Sequence, residues 1–251
     1  MLLKTWPYPR WIAHRGAGIS APENTMPAFK LGFESGFRMF ECDAKLSADG
    51  VVFLLHDATL DRTTNAQGMA HTHAWDALTA LDAGSWHSHQ FAGAAIPSLE
   101  QLAEFCIDTG CQLNIEIKPS PGFEALTGER VALVAKRLWQ GQPIPPLLTS
   151  FKREALRSAL AAAPECPRGL LMDELAHDWR EATQSLQCDA LACHFPLYSP
   201  YFVDEIHRLG LHCLAFTVND AETAQSLIKM GVDTIITDDM TFALSQPAQR
   251  I

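Results

Sequence analysis

"WIAHRGAGISAPENT", residues 11–25, opens with three apolar residues that run straight into His14, Arg15 and Gly16. A strand ending on a His-Arg pair with no polar spacer has two readings. It meets the surface as a basic loop, or it delivers a proton carrier beside a positive charge. No Gly-x-Gly-x-x-Gly follows this first strand, which disfavours a doubly wound dinucleotide-binding sheet. Outward from it, β-rich runs recur at 39–46, 111–118, 147–151, 169–172, 190–194, 212–218 and 234–237. Together with 11–14 they make eight, separated by amphipathic stretches. Eight βα units without linker, repeat array or low-complexity segment predict an α/β fold, a single (β/α)8 TIM barrel spanning residues 1–251.

Several of the intervening helices carry start and stop signals. Ser98-Leu-Glu-Gln101 has capping-box spacing, and Leu99, Leu102, Ala103 and Cys106 form one face before Gly110. Ser199-Pro200 predicts an N-cap followed by proline at the first helical position, with a stop at Gly210. Gly231 follows Leu227 and Ile228 as a C-terminal glycine. Two places break the alternation. Ser47-Ala-Asp-Gly50 is a turn signal between 39–46 and a second apolar run at 51–56, which predicts a hairpin extending the second strand. The aromatic, His-rich stretch 57–97 is then a small insertion after the second strand, above the barrel mouth.

Composition limits the partners. The chain has 251 residues, 47% of them hydrophobic, and a formal net charge of −10, which argues against a nucleic-acid backbone or an anionic membrane. No apolar run approaches the roughly 20 residues of a bilayer span. Residues 1–10 lack the apolar core of a secretory leader. Seven scattered cysteines without Cys-x-x-Cys predict reduced thiols and a cytoplasmic protein.

A strand alternates its faces, so Glu41 and Asp43 share a side from which Cys42 is excluded, as do Asn114, Glu116 and Lys118. Near strand ends such residues point to a barrel mouth, where catalytic groups gather. Three carboxylates from two strands suit a hard cation, and the same residues with Lys118 and Arg15 also suit an ion-pair ladder. His14 and His56 end strands that converge on this mouth, and histidine titrates near neutrality. His71, His73, His87 and His89 have ligand-like spacing but no completing cysteine or carboxylate, so they are expected to be solvated. His177, His207 and His212 are expected at the surface or in packing, and His194 as a hydrogen-bonded structural residue.

Taken in order, these segments resemble the glycerophosphodiester phosphodiesterase family, in its short bacterial cytosolic form. The matching residues are His14-Arg15-Gly16, Pro22-Glu23-Asn24-Thr25, Glu41-x-Asp43, His56-Asp57, Asp82-Ala-Gly-Ser-Trp86, Glu116-Ile117-Lys118, Thr217-Val218-Asn219 and Thr237-Asp238. The resemblance implies metal-dependent hydrolysis of deacylated phospholipids to sn-glycerol 3-phosphate and an alcohol. It implies that Glu41, Asp43 and Glu116 bind one divalent cation, Mg2+ first, with Ca2+ or Mn2+ as alternatives. His14 and His56 become the acid–base pair, and Arg15 and Lys118 hold phosphate oxygens. Phe216 stands where the family often has tryptophan, keeping an aromatic wall against the substrate. Asp239-Met240 replaces a common proline. Residues 22–25 are expected to open the first helix, capped by Thr25, with Glu23 able to orient a neighbouring group. The expected partner is a small glycerophosphodiester, without nucleic acid or membrane insertion; a homodimer is left open.

Overall fold

The structure is a computed structural model and describes residues 5–242. The ends of the expected 1–251 domain therefore lie outside the described residues. Eight parallel strands close on themselves: β1 (Trp11–Ala13), β2 (Met39–Leu46), β4 (Gln112–Ile117), β5 (Leu147–Ser150), β6 (Arg168–Met172), β7 (Ala190–His194), β8 (His212–Phe216) and β9 (Thr234–Thr237). Closure is made by β1 pairing with both β9 and β2. The ninth strand, β3 (Val52–Leu54), returns antiparallel on β2 with Ala44 opposite Leu54, the expected hairpin. Ser47 Oγ makes its turn by accepting from Val51 N at 2.9 Å.

Helices cover the outside: α1 (Met26–Glu34), α3 (Leu99–Thr109), α4 (Glu124–Leu138), α5 (Arg153–Ala162), α6 (Trp179–Ser185), α7 (Pro200–Arg208) and α8 (Ala221–Met230). Their ends follow the local chemistry. Ser98 and Gln101 form the capping box of α3, and Gly110 closes it at φ +69, a conformation glycine adopts without steric cost. Ser199 caps α7 with Pro200 at its first position, and Thr25 caps α1.

The core has two shells. Ile12, Met39, Leu147, Leu171, Leu214 and Ile236 fill the barrel interior, while alternate positions such as Leu113, Ile115, Leu191 and Cys213 face the helices. Trp6 and Tyr8 close the floor, with Trp6 Nε1 donating to Thr234 Oγ1 at 2.8 Å and Tyr8 Oη to the Pro145 carbonyl at 2.8 Å. Truncating a fully buried interior side chain such as Leu147 or Leu214 to alanine costs about 2–5 kcal/mol. The insertion, with α2 (Trp75–Thr79), has its own small core of Phe53, Leu55, Leu60, Leu78 and Ile96. Asp82 ties it together, accepting from Gly84, Ser85 and Gly93 amides.

Four barrel strands, and β3 of the hairpin, stop short of the runs read from sequence. His14, Lys118, Phe151 and 217–218 lie just beyond the last ladder residues of β1, β4, β5 and β8. His14, Lys118 and Val218 each still donate one backbone hydrogen bond to a neighbouring strand at 2.9 Å, and these segments lie at the mouth.

Candidate active site

The loop after β1 builds one side of the mouth. His14 N still donates to the Thr237 carbonyl at 2.9 Å. Arg15 then turns to φ +49, a left-handed conformation that non-glycine residues rarely hold. The turn aims its own amide at Glu41 Oε2, 3.0 Å away. Gly18 backs onto the end of β9, where a Cβ would lie 2.1 Å from the Asp238 carbonyl oxygen. Glycine at this position thus lets the loop approach the residue that contacts His14.

Opposite it stand the acids. The parallel register sets Glu41 beside Asn114 and Asp43 beside Glu116, so Glu41, Asp43 and Glu116 bring one oxygen each within 4.8 Å of one another. One oxygen of each carboxylate is clamped: Glu41 Oε2 by the Arg15 amide, Asp43 Oδ2 by Asn24 Nδ2 at 2.8 Å, and Glu116 Oε1 by Lys118 Nζ at 2.8 Å. Glu41 Oε1 and Asp43 Oδ1 are buried without a hydrogen bond. The ion-pair ladder is also present, since Arg15 Nε lies 3.2 Å from Asp43 and Lys118 Nζ 3.4 Å from it. The ladder reaches Asp43 Oδ1 through Lys118 but leaves Glu41 Oε1 buried with neither a hydrogen bond nor an ion pair among the described residues. Hard oxygen donors from three carboxylates, each fixed through one oxygen, fit a divalent cation.

The charges point the same way. Burial and the neighbouring Asp43 push the Glu41 carboxyl up, and burial with Asp43 also raises Glu116. Burial would raise Asp43 as well, but Arg15, Lys118 and His56 outweigh it and hold its carboxyl well below the usual range.

Each mouth histidine is held by an acid. His14 Nδ1 lies 2.6 Å from Asp238 Oδ1, and its Nε2 faces Glu41 at 3.9 Å. Asn219 orients Asp238, donating from Nδ2 to Oδ2 at 3.0 Å and accepting the Asp238 amide at 2.8 Å. His56 Nδ1 lies 2.7 Å from Asp57 Oδ1, and Arg62 grips Asp57 and Glu23 together. Burial would lower His14, but the Asp238 bond and the Glu41 charge overcome it and leave its pKa raised. Burial prevails at His56, whose pKa is lowered although Asp43 opposes the shift. Two imidazoles with opposite shifts at one mouth can exchange protons with a substrate from two sides.

Arg15 and Lys118 flank the cluster, half-buried, with Arg15 Nη1 also 3.0 Å from Glu23. Phe216 stands edge-on to Phe151 at 5.8 Å. Every candidate residue named from the sequence therefore converges on the mouth. Of the other histidines, His89 and His177 are exposed, and His71, His73 and His87 are partly so, His87 Nε2 lying 3.0 Å from the Ile19 carbonyl. His207 contacts Asp233 at 2.9 Å, and His212 stacks on Trp6 at the floor. His194 departs from expectation. It is exposed and lies against Phe195 and Phe216, because β7 ends at the mouth and leaves its last residue beyond the core. Asn24, Asp57, Asn219 and Asp238 lay inside quoted motifs, but only geometry shows what they hold. The motif in 22–25 does more than open α1, since Asn24 grips both the side chain and the amide of Asp43.

A closed parallel barrel with acids, imidazoles and cations gathered at the C-terminal ends of its strands belongs to the class of barrel enzymes working on an anionic substrate. The comparison with known families narrows the class. Residues 14–241 match the glycerophosphoryl diester phosphodiesterase family, to which the chain belongs. A glycerophosphodiester phosphodiesterase of Caldanaerobacter subterraneus subsp. tengcongensis is 35% identical over 91% of this chain and 93% of its own length. An Oleispira antarctica phosphodiesterase, solved in complex with the product sn-glycerol-3-phosphate, superposes with a TM-score of 0.87 at 33% identity, covering 95% of this chain and 98% of that one. A glycerophosphodiester phosphodiesterase from Agrobacterium tumefaciens gives 0.81 at 26% identity, over 94% of this chain and 99% of that one. The fold and the enzyme class expected from the sequence are thereby met. Among the described residues no helix is long and apolar enough to cross a membrane.

Proposed function

We propose that this phosphodiesterase hydrolyses glycerophosphodiesters, such as glycerophosphocholine and glycerophosphoethanolamine, to sn-glycerol 3-phosphate and an alcohol, acting as one domain with a single divalent cation. Glu41, Asp43 and Glu116 would hold the cation, with Mg2+ favoured by an all-oxygen donor set. When bound, it supplies Lewis-acid polarisation of the phosphoryl group. The observation that carries this reading is the convergence of the Glu41, Asp43 and Glu116 carboxylates, with Glu41 Oε1 buried and unbonded, between two acid-anchored histidines.

Arg15 and Lys118 bind the phosphate. Three carboxylates and a dication leave a charge of about −1, and the diester adds another, so both cations are needed for the anion to enter. Phe216 walls the site against water. The glycerol 2-hydroxyl, tethered beside phosphorus, is the nucleophile, because such placement reaches effective molarities of roughly 10⁵ M or more. One imidazole takes the hydroxyl proton as the new P–O bond forms and the P–O bond to the alcohol breaks. The other imidazole protonates the departing alkoxide. Water then opens the five-membered cyclic phosphate with the two roles exchanged. The test is release of glycerol 3-phosphate from both diesters, with and without added metals. Metal-dependent release is expected, and no release under any metal would refute the reading.

A further inference from the structure

The cavity beside the acidic cluster is larger than a phosphate group requires. It measures about 500 Å³ and runs from His56 and Glu116 along Lys118 to Phe151 and Lys152. A second space at the mouth, between His14, Glu41 and Phe216, holds about 30 Å³. Of these two, the first has room for a bulky alcohol.

The charge of that cavity is lopsided. Lys45, Lys118 and Lys152 line it, against Asp57 and Glu116. Both carboxylates are already engaged, Asp57 by His56 and Arg62 and Glu116 by Lys118. Lys45 is 2% exposed, and its Nζ donates to the Lys118 carbonyl at 3.0 Å. No carboxylate pairs with that ammonium among the described residues. Asp43, Glu116 and Asp57 offset its charge only from a distance, burial outweighs them, and an anion entering the cavity would offset the remaining cost. Quaternary ammonium groups, by contrast, are recognised by several ring faces. Besides His56, Phe151 is the aromatic ring lining this cavity, and the Lys118 ammonium already lies 5.7 Å from its centroid.

We propose that this cavity is the subsite for the departing alcohol and that it selects alcohols bearing a carboxylate or phosphate over those bearing an ammonium. The inference rests on the phosphodiesterase reading above. It is tested with three glycerol 3-phosphodiesters of matched length, whose alcohols are glycolate, ethylene glycol and ethanolamine. Intrinsic leaving ability differs among them, so the deciding quantity is how a substitution changes their ranking. Lys152 is exposed at the rim, where Lys152→Glu leaves the core untouched. In the native protein kcat/KM should favour the glycolate diester over the ethanolamine diester by about tenfold or more. Lys152→Glu should shrink that ratio by roughly tenfold, the scale of a charge reversal a few ångströms from a charged group. An unmoved ratio, or a native preference for ethanolamine, would overturn the proposal while leaving the phosphodiesterase intact. Absence of glycerol 3-phosphate from all three diesters with Mg2+ would instead overturn the underlying activity, and the subsite with it.

Discussion

Asp238→Asn removes one charge and almost no volume, so its effect isolates what the carboxylate does for His14. The native contact is short, 2.6 Å from Nδ1 to Oδ1, and the other oxygen is fixed by Asn219. It keeps the Nδ1 proton in place, leaving Nε2 facing Glu41 free to give or take a proton at the substrate. An amide can turn its NH2 group toward Nδ1, which moves the neutral ring's proton to Nε2 and removes its ability to accept. A hydrogen bond to a charged group is worth about 1.5–3 kcal/mol, which corresponds to a loss of roughly 10- to 100-fold in kcat. The same change alters the pH profile. His14 is raised because Asp238 and Glu41 overcome burial, so without Asp238 its pKa falls and the alkaline limb moves to lower pH. The profile is bell-shaped whichever imidazole begins protonated, since activity follows the singly protonated pair. Steady-state release of glycerol 3-phosphate between pH 5 and 10 measures both effects. A variant within twofold of native kcat, with its alkaline limb in place, would refute the assignment of Asp238 as a positioning residue for His14.

His14→Ala and His56→Ala should each lower kcat by about 100-fold or more, while His71→Ala and His89→Ala change it little; equal losses in all four would undo the separation of the histidines. The metal-free protein should lose thermal stability between pH 6.5 and 8. Glu41 is pushed up to about 8 and His14 is raised from its ordinary value, so the folded state holds more protons than the unfolded chain there, and stability falls as pH rises. Added Mg2+ should flatten that slope, and Glu41→Gln should reduce it while weakening metal binding; melting scans with and without EDTA would expose a slope of the opposite sign. A diester lacking the glycerol 2-hydroxyl should bind yet hardly turn over, and glycerol 1,2-cyclic phosphate should be hydrolysed; fast cleavage of the deoxy analogue would make water the direct nucleophile.

The barrel was legible because its parallel strands, buried on both faces, leave short apolar runs, and its helices carry local caps such as Ser98 and Gly110 that act within a few residues. The acids were legible because side-chain alternation along a strand puts Glu41 and Asp43 on one face. Strand ends were less so, because where a ladder stops depends on pairing with a neighbouring strand, which the residues at the end do not record by themselves. The orienting contacts were out of reach. Asp238 meets His14 across 224 positions, and Arg62 meets Glu23 across 39, so only barrel closure and the insertion's fold bring them together. His194 was misjudged because its strand reads the same whether the last residue is buried or left over the mouth.

The most direct test follows Mn2+ as a hard-cation stand-in, titrated into EDTA-treated protein with bound metal read by electron paramagnetic resonance and glycerol 3-phosphate release measured on the same samples. Turnover should rise in proportion to bound Mn2+ and saturate at one ion per chain, and Glu116→Gln should weaken binding and turnover together. Full turnover with no metal bound would contradict the site that Glu41, Asp43 and Glu116 are proposed to form.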